Sequence, residues 1–229
     1  MAARLGFDGV ELPASRDSSI ASSTNALLTA PEKIRRIFSD ADVEISSLNI
    51  GSDAAELPER ILLAAELNCR VIRLQDDAMF SRSQKITTRA INRLRDCADT
   101  AAAAGVTLLI ENMPVKGSAL VMWHLLDRID SPAVACCWNT AAAAVAGDSP
   151  AVAVPTLNTR IHCVRLPEVQ SEALAIRKTL DRLRGIGFSQ WLIVGPANHP
   201  ARTNEELEQS LVKAKETLRS QQIQSVTVA

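Results

Sequence analysis

Short apolar runs alternate with longer amphipathic stretches along the chain. Runs rich in β-branched and aliphatic residues predict seven strands, at 7–13, 43–50, 70–75, 106–112, 134–139, 161–167 and 191–196. Several runs are almost wholly apolar, which is typical of parallel strands covered on both faces. Helical spacing fills the gaps, at residues 30–41, 56–68, 81–105, 118–129, 171–187 and 203–221. The repeated alternation predicts a (β/α)8-type TIM barrel, with an open doubly wound sheet as the alternative.

Local signals mark the ends of several helices. Pro31 stands where a first-turn proline is favoured, and Gly105 stands where a helix commonly terminates. Thr203 and Glu206 have the spacing of a capping box. Residues 14–29 are small and polar and predict a loop with a partial helix. No proline- or serine-rich linker divides the sequence, so residues 1–229 are interpreted as one domain.

Composition narrows the classes of function. The 25 basic residues are scattered among 26 acidic ones in a chain of net charge −1, which argues against a nucleic-acid partner. No apolar run approaches the length of a membrane span, and the first residues do not resemble a signal peptide. A cytoplasmic protein is therefore expected. The five cysteines include no CxxC pair and lie mostly in apolar patterns, so buried free thiols are expected.

Five segments in order resemble the xylose-isomerase-like TIM barrels, a superfamily of sugar and sugar-phosphate isomerases and epimerases that includes the AP endonucleases of family 2. They are "LGFDGVELP" (5–13), "GVTLLIENMP" (105–114), "VACCWNTAAAAVAGDSP" (134–150), "RIHCVRLPEV" (160–169) and "GIGFSQWLIVGP" (185–196). The resemblance covers nearly the whole chain. It implies a divalent metal at the carboxyl-terminal mouth of the barrel, held by carboxylates and a histidine.

Carried over residue by residue, the resemblance predicts that this metal centre is absent. Glu111 keeps the carboxylate of the fifth family strand. The other metal-ligand positions fall on Asn139, Ala142, Arg165 and Gly195, and none of these residues carries the expected ligand. A hard divalent ion held by one carboxylate and one amide would bind weakly. No cofactor is therefore expected.

Arg165 is the most informative of these replacements. Strand ends converge in a barrel, so its guanidinium is expected to approach Glu111 and supply the positive charge of the lost metal. It either neutralises Glu111 in a disused site or presents donors to an anionic ligand. His199 is a weaker candidate acid or base. Further polar residues are expected to face the same mouth: Glu11, Asn49, Arg73, Gln75, Asn112, Asn139 and Glu168.

The family normally begins with a strand and helix that precede "LGFDGVELP". The tail "QIQSVTVA" (222–229) alternates β-branched and polar residues and follows the last helix. We expect Ser225–Val228 to fill the first-strand position, as in a circular permutation, either within the chain or by exchange with a second subunit. The alternative is a shortened barrel with a frayed tail or a dimerised edge.

Two functions remain open from the sequence. The first is a pseudoenzyme that keeps the scaffold and binds a small sugar-like or anionic ligand at the mouth. The second is an active, metal-independent sugar or sugar-phosphate isomerase or epimerase that uses Glu111 and Arg165. No nucleic-acid or membrane partner is expected, and a homodimer is conceivable from the exposed edges.

Overall fold

The computed structural model describes residues 1–15, 21–52, 54–75, 88–114, 117–166, 173–195, 203–220 and 227–228. Within these residues eight parallel strands close into a barrel in sequential order, which excludes the open doubly wound sheet. The strands are β1 Gly9–Pro13, β2 Glu44–Asn49, β3 Val71–Leu74, β4 Thr107–Glu111, β5 Val134–Asn139, β6 Ile161–Leu166, β7 Trp191–Val194 and β8 Thr227–Val228.

Helices surround the strands. The described helices are α1 Ala2–Leu5, α2 Ala21–Thr29, α3 Pro31–Asp40, α4 Leu57–Glu66, α5 Thr88–Ala103, α6 Ala119–Ile129, α7 Thr140–Val145, α8 Pro150–Leu157, α9 Ala173–Gly185 and α10 Asn204–Ser220. The capping box of α10 is confirmed, because the Thr203 amide donates to Glu206 Oε2 at 2.8 Å and the Glu206 amide donates to Thr203 Oγ1 at 3.2 Å. None of the described helices is long and apolar enough to cross a membrane.

The barrel is closed by the last strand of the chain. Thr227 and Val228 align with Gly9 and Val10 of β1 on one side and with Ile193 and Val194 of β7 on the other, parallel to both. The predicted filling of the first-strand position by the tail is therefore found, and it occurs within one chain. Residues 225 and 226 lie outside the described residues. A circular permutation stays a prediction about how this arrangement arose.

The predicted helical ranges leave out a stretch in the middle of the chain. Residues 140–150 follow the strand predicted at 134–139 and belong to no predicted helix, yet they contain all of α7 and the start of α8. Alanine has the highest helix propensity, so the run 141–144 favours a helix without any amphipathic pattern to reveal it. The helix starts at Asn139, whose Oδ1 accepts hydrogen bonds from the amides of Ala141 at 3.0 Å and Ala142 at 3.1 Å.

Two hydrophobic layers hold the barrel. The larger fills the space between strands and helices, and includes Leu48, Ile72, Ile110 and Val164. The smaller fills the inside of the barrel with Leu109, Ala135, Cys137, Cys163 and Ile193. All five cysteines are buried and free, as predicted. The inner layer separates the two ends of the barrel, and the polar residues of the mouth lie on its carboxyl-terminal side.

Candidate functional site at the barrel mouth

Inward-pointing polar side chains meet at the carboxyl ends of five strands. Alternation along a strand sends every second residue into the barrel. On β4 and β5 the apolar inner layer is followed, two residues further on, by Glu111 and Asn139. Glu11 of β1, Arg73 of β3 and Arg165 of β6 complete the group, which we call the mouth cluster.

Arg73 lies at the centre of the mouth cluster. Its Nε donates to Glu11 Oε2 at 2.7 Å and its Nη2 donates to Glu11 Oε1 at 2.6 Å, so one carboxylate is bound by two parallel hydrogen bonds. Its Nη1 donates to Oε2 of Glu111. A single guanidinium, only 1% exposed, thus bridges two buried carboxylates. This fork geometry suits arginine and could not be made by lysine.

Arg165 joins the same two carboxylates from the solvent side. Its Nη1 donates to Glu11 Oε1 at 3.1 Å, and its Nε lies 3.9 Å from Glu111 Oε1. The residue expected to pair with Glu111 therefore lies nearer to Glu11. Its side chain is 13% exposed, against 2% for that of Arg73. Arg165 is the more accessible of the two cations.

The four charges of the mouth cluster balance one another. Burial by itself would raise the pKa of Glu11, but the charge and hydrogen bonds of Arg73 and the charge of Arg165 outweigh it and leave that pKa below its ordinary value. Burial would likewise lower the pKa of Arg73, yet the negative charges of Glu11 and Glu111 hold it well above its ordinary value. Both residues are therefore charged at neutral pH despite being buried.

Asn139 has two tasks at this site. Its Nδ2 donates to Glu111 Oε1 at 2.7 Å, while its Oδ1 caps α7. The amide oxygen is thus turned towards the helix and away from Glu111. Ala142, on which another metal-ligand position of the family falls in this segment, is buried in α7. Asn139 belongs to the mouth cluster as a donor to a carboxylate.

The remaining predicted residues mostly secure the strand ends. Asn49 Oδ1 accepts from the Gly51 amide at 3.0 Å, and Asn112 binds both the amide and the carbonyl of Asn139. Gln75 lies just beyond β3, where its amide donates to the Gly51 carbonyl at 2.8 Å. Gly195 directly follows β7. Glu168 and His199 lie outside the described residues.

Sequence reasoning missed Ser47. Its hydroxyl donates to Glu11 Oε2 at 2.8 Å from inside the barrel. The register between β1 and β2 shifts between Val10 and Glu11, so that Glu11 aligns with Ser47 and not with Ser46. A β-bulge of this kind alters which residues face inward. No simple alternation rule applied to "VEISSLNI" could have found this contact.

Among the described residues, no group of three or more histidine, cysteine, aspartate or glutamate side chains is arranged to hold a metal ion. Glu11 and Glu111 are the two carboxylates of the mouth cluster, and the cation that joins them is the guanidinium of Arg73.

A family model described as xylose isomerase-like TIM barrel matches residues 1–220. The chain belongs to this family. The match extends over every described element except β8, and thus includes all five strands that contribute to the mouth cluster. A comparison with proteins of curated function finds no significant sequence match.

Solved structures of the same architecture are similar in fold at low sequence identity. A xylose isomerase domain protein from Planctomyces limnophilus superposes with a TM-score of 0.80 at 15% identity, covering 96% of this chain and 90% of that one. The 3-keto-D-glucoside 4-epimerase of E. coli gives 0.76 at 13% identity, with 95% and 90% covered. The D-psicose 3-epimerase of Clostridium cellulolyticum H10 gives 0.73 at 16%, with 96% and 90% covered. These likenesses show a shared fold.

Proposed function

We propose that this protein is a non-catalytic member of the xylose isomerase-like family that binds a small sugar-like or anionic ligand at the barrel mouth without a divalent metal. The observation that carries the proposal is the position of Arg73. Its guanidinium bonds to Glu11 and Glu111 together, and so occupies the place between two carboxylates where a divalent cation would have to lie.

The donor atoms of the mouth cluster do not fit a divalent ion. Such ions prefer several oxygen or imidazole ligands that are free to coordinate. Here Glu11 accepts bonds from Arg73, Arg165 and Ser47, and the amide oxygen of Asn139 caps α7. A metal would have to displace a buried guanidinium, which would then lie unpaired at a high cost in free energy.

The same contacts argue against Glu111 as a catalytic base. Its Oε2 accepts from Arg73, and its Oε1 accepts from Asn139 at 2.7 Å with Arg165 close by. A base needs a lone pair within reach of the substrate proton. At 1% exposure, with a hydrogen bond at each oxygen, Glu111 presents almost no oxygen surface to a substrate in the mouth. Metal-independent isomerisation through Glu111 and Arg165 is therefore the less favoured function.

Arg165 is the residue we assign to ligand binding. Glu11 already receives three hydrogen bonds from Arg73 and Ser47, so the fourth, from Arg165, is the one that a ligand oxygen can replace at least cost. The partial exposure of Arg165 lets it meet a ligand in the mouth. A guanidinium suits hydroxyl, carboxylate and phosphate oxygens alike.

Thermal-shift titration and metal analysis of the purified protein test this proposal. We expect no bound stoichiometric metal, no stabilisation by Mn²⁺, Mg²⁺ or Co²⁺, and a shift with some members of a panel of ketohexoses, aldopentoses and their phosphates. Arg165→Gln should abolish the ligand shift, whereas Arg160→Gln, on the outer surface beside Trp123, should leave it unchanged.

Three outcomes would contradict the proposal. Tight binding of one divalent ion would overturn the metal-free site. The absence of any shift across the panel would overturn ligand binding at the mouth. Incorporation of solvent deuterium into a ketohexose by the metal-free protein, abolished by Glu111→Gln, would replace the non-catalytic assignment with the isomerase.

A further inference from the structure

A cavity lies at the opposite end of the barrel from the mouth. It has a volume of about 740 Å³ and is bounded by the amino-terminal ends of β1, β2 and β3, by α3 and by Trp191 at the start of β7. The inner layer of Leu109, Cys137 and Ile193 separates it from the mouth cluster. Ligand sites of proteins commonly have volumes of roughly 300–1,000 Å³. This end of a TIM barrel usually serves stability alone, so a cavity here needs an explanation.

The inner wall of this cavity combines apolar surface with one unsatisfied hydroxyl. Trp191, Val71 and Phe38 line it as partly buried side chains. Ser46, also in the lining, is 3% exposed, and its hydroxyl has no hydrogen-bond partner among the described residues. Leaving a buried hydroxyl without a partner costs roughly 1–3 kcal/mol. The oxygen has almost no accessible surface, so the Ser46 side chain would have to change rotamer before a polar atom of a ligand could supply the missing bond.

Gly9 makes the inner wall possible. A Cβ atom at this position would lie 3.2 Å from Cη2 of Trp191 and 3.3 Å from Cβ of Ser46. These distances are too short for ordinary contacts, so any larger residue would push the indole or the serine aside. Glycine thus allows the Trp191 ring and Ser46 to stand next to each other at the barrel floor.

The rim of the cavity carries charges of both signs that do not neutralise each other. Arg35 and Arg70 contribute positive charge, and Asp8, Asp42 and Glu44 contribute negative charge. Asp8 already has a partner of its own. In the described part of the chain, none of the other four side chains has an oppositely charged partner within 4.0 Å, although elsewhere the same surface forms pairs such as Arg36 with Glu32. The rim can therefore receive both a carboxylate and an ammonium group.

We propose that this cavity binds a free α-amino acid with a bulky apolar side chain. The carboxylate meets Arg35 and Arg70, the ammonium group meets Asp42 and Glu44, and the side chain lies against Trp191 and Phe38. A zwitterion matches the mixed rim better than an anion or a cation does. An anion would pair only with the two arginines, and a cation would pair only with the acidic side chains. The site is independent of the ligand proposed for the mouth.

Two-dimensional NMR of the indole N–H groups tests the proposal. The protein has three tryptophans, and Trp191→Phe identifies the resonance of Trp191. L-Phenylalanine, L-leucine and L-tryptophan are titrated, beside 3-phenylpropanoate and 2-phenylethylamine, which carry only one charge each. We expect at least one amino acid to shift the Trp191 resonance and to bind about tenfold or more tightly than either singly charged probe, as charged hydrogen bonds would require.

Variants on α3 and β2 separate the site from a non-specific surface effect. Arg35→Gln and Glu44→Gln should each weaken binding several-fold, while Arg36→Gln, the next residue on α3 and outside the lining, should not change it. No shift of the Trp191 resonance with any of the three amino acids overturns the proposal. Equal binding of 3-phenylpropanoate, or loss of affinity in Arg36→Gln alone, does so as well.

Discussion

Arg73 is the side chain that bonds directly to both carboxylates of the mouth cluster through hydrogen bonds. Its three nitrogen donors bond to two carboxylates that come from strands on either side of it in the barrel, β1 and β4. Arg165 contacts the same carboxylates but is partly exposed and makes a single hydrogen bond to Glu11. The two arginines therefore have unequal roles, with Arg73 holding the cluster together and Arg165 free to exchange partners.

Replacing Arg73 should be far more damaging than replacing Arg165. Arg73→Met leaves two buried carboxylates without their main partner, and breaking a buried pair in this way typically costs about 3–5 kcal/mol. Arg165→Met, at a partly exposed position, should cost roughly 1–2 kcal/mol. Urea unfolding of both variants measures the difference in the free energy of unfolding.

The double variant Glu11→Gln/Arg73→Met is the control for this prediction. It removes one of the two carboxylates that Arg73→Met leaves unpaired. Its loss of free energy of unfolding should therefore be smaller than the sum of the losses in Glu11→Gln and Arg73→Met. A cost for Arg73→Met no greater than that for Arg165→Met would contradict the central role of Arg73.

At the scale of elements, the barrel depends on its shortest strand. β8 contributes two described residues, yet these align with both β1 and β7 and close the ring. Without them, β1 and β7 would each present an unpaired edge, which proteins normally avoid. A strand this short supplies little burial of its own, so its contribution must come mainly from completing the hydrogen bonding of its neighbours.

Removing residues 227–229 should lower the stability of the barrel. Four aligned pairs are lost, and such pairs contribute roughly 0.2–1 kcal/mol each. For a protein of this size, 1 kcal/mol corresponds to about 2–4 °C in Tm, so a fall of roughly 2–16 °C is expected by calorimetry. Deleting Ala229 alone is the matched control and should leave Tm almost unchanged. An unaltered Tm in the longer deletion would mean that β8 does not stabilise the closed barrel.

The sequence predicted elements better than it predicted contacts. Apolar runs located the seven body strands, and the tail's alternation located the eighth. The alanine-rich helix α7 was missed because a helix of alanines has no polar face to reveal its period. Arg73 was placed at the mouth, but its bridging role depends on its reach to Glu11 and Glu111, 62 and 38 residues away in the chain. The Ser47 contact depends on a bulge, which has no signature in that strand.

At the scale of the whole molecule, two of the described ionisable groups, one half-buried and one buried, link stability to pH in the acid range. His162 on β6 is partly buried, and burial lowers its pKa from the ordinary 6.5. Glu11 has a pKa lowered from 4.5, because its pairing with Arg73 and Arg165 outweighs its burial. In both cases the folded-state pKa lies below that of the unfolded chain. The stability that each group contributes is therefore complete above its unfolded pKa and is lost as the pH falls through the folded one.

Acid should consequently weaken the fold in two successive ranges. Below about pH 6.5 the unfolded chain protonates His162 first, and the effect should be small because the imidazole is only half-buried. Below about pH 4.5 the unfolded chain also protonates Glu11, and one such group can add a slope approaching 1.4 kcal/mol per pH unit.

Urea unfolding from pH 8 to pH 3 measures this profile. His162→Gln should flatten only the upper range and Glu11→Gln only the lower. A Glu11→Gln protein whose stability falls as steeply below pH 4.5 as that of the parent would show that the mouth cluster is not what acid disrupts.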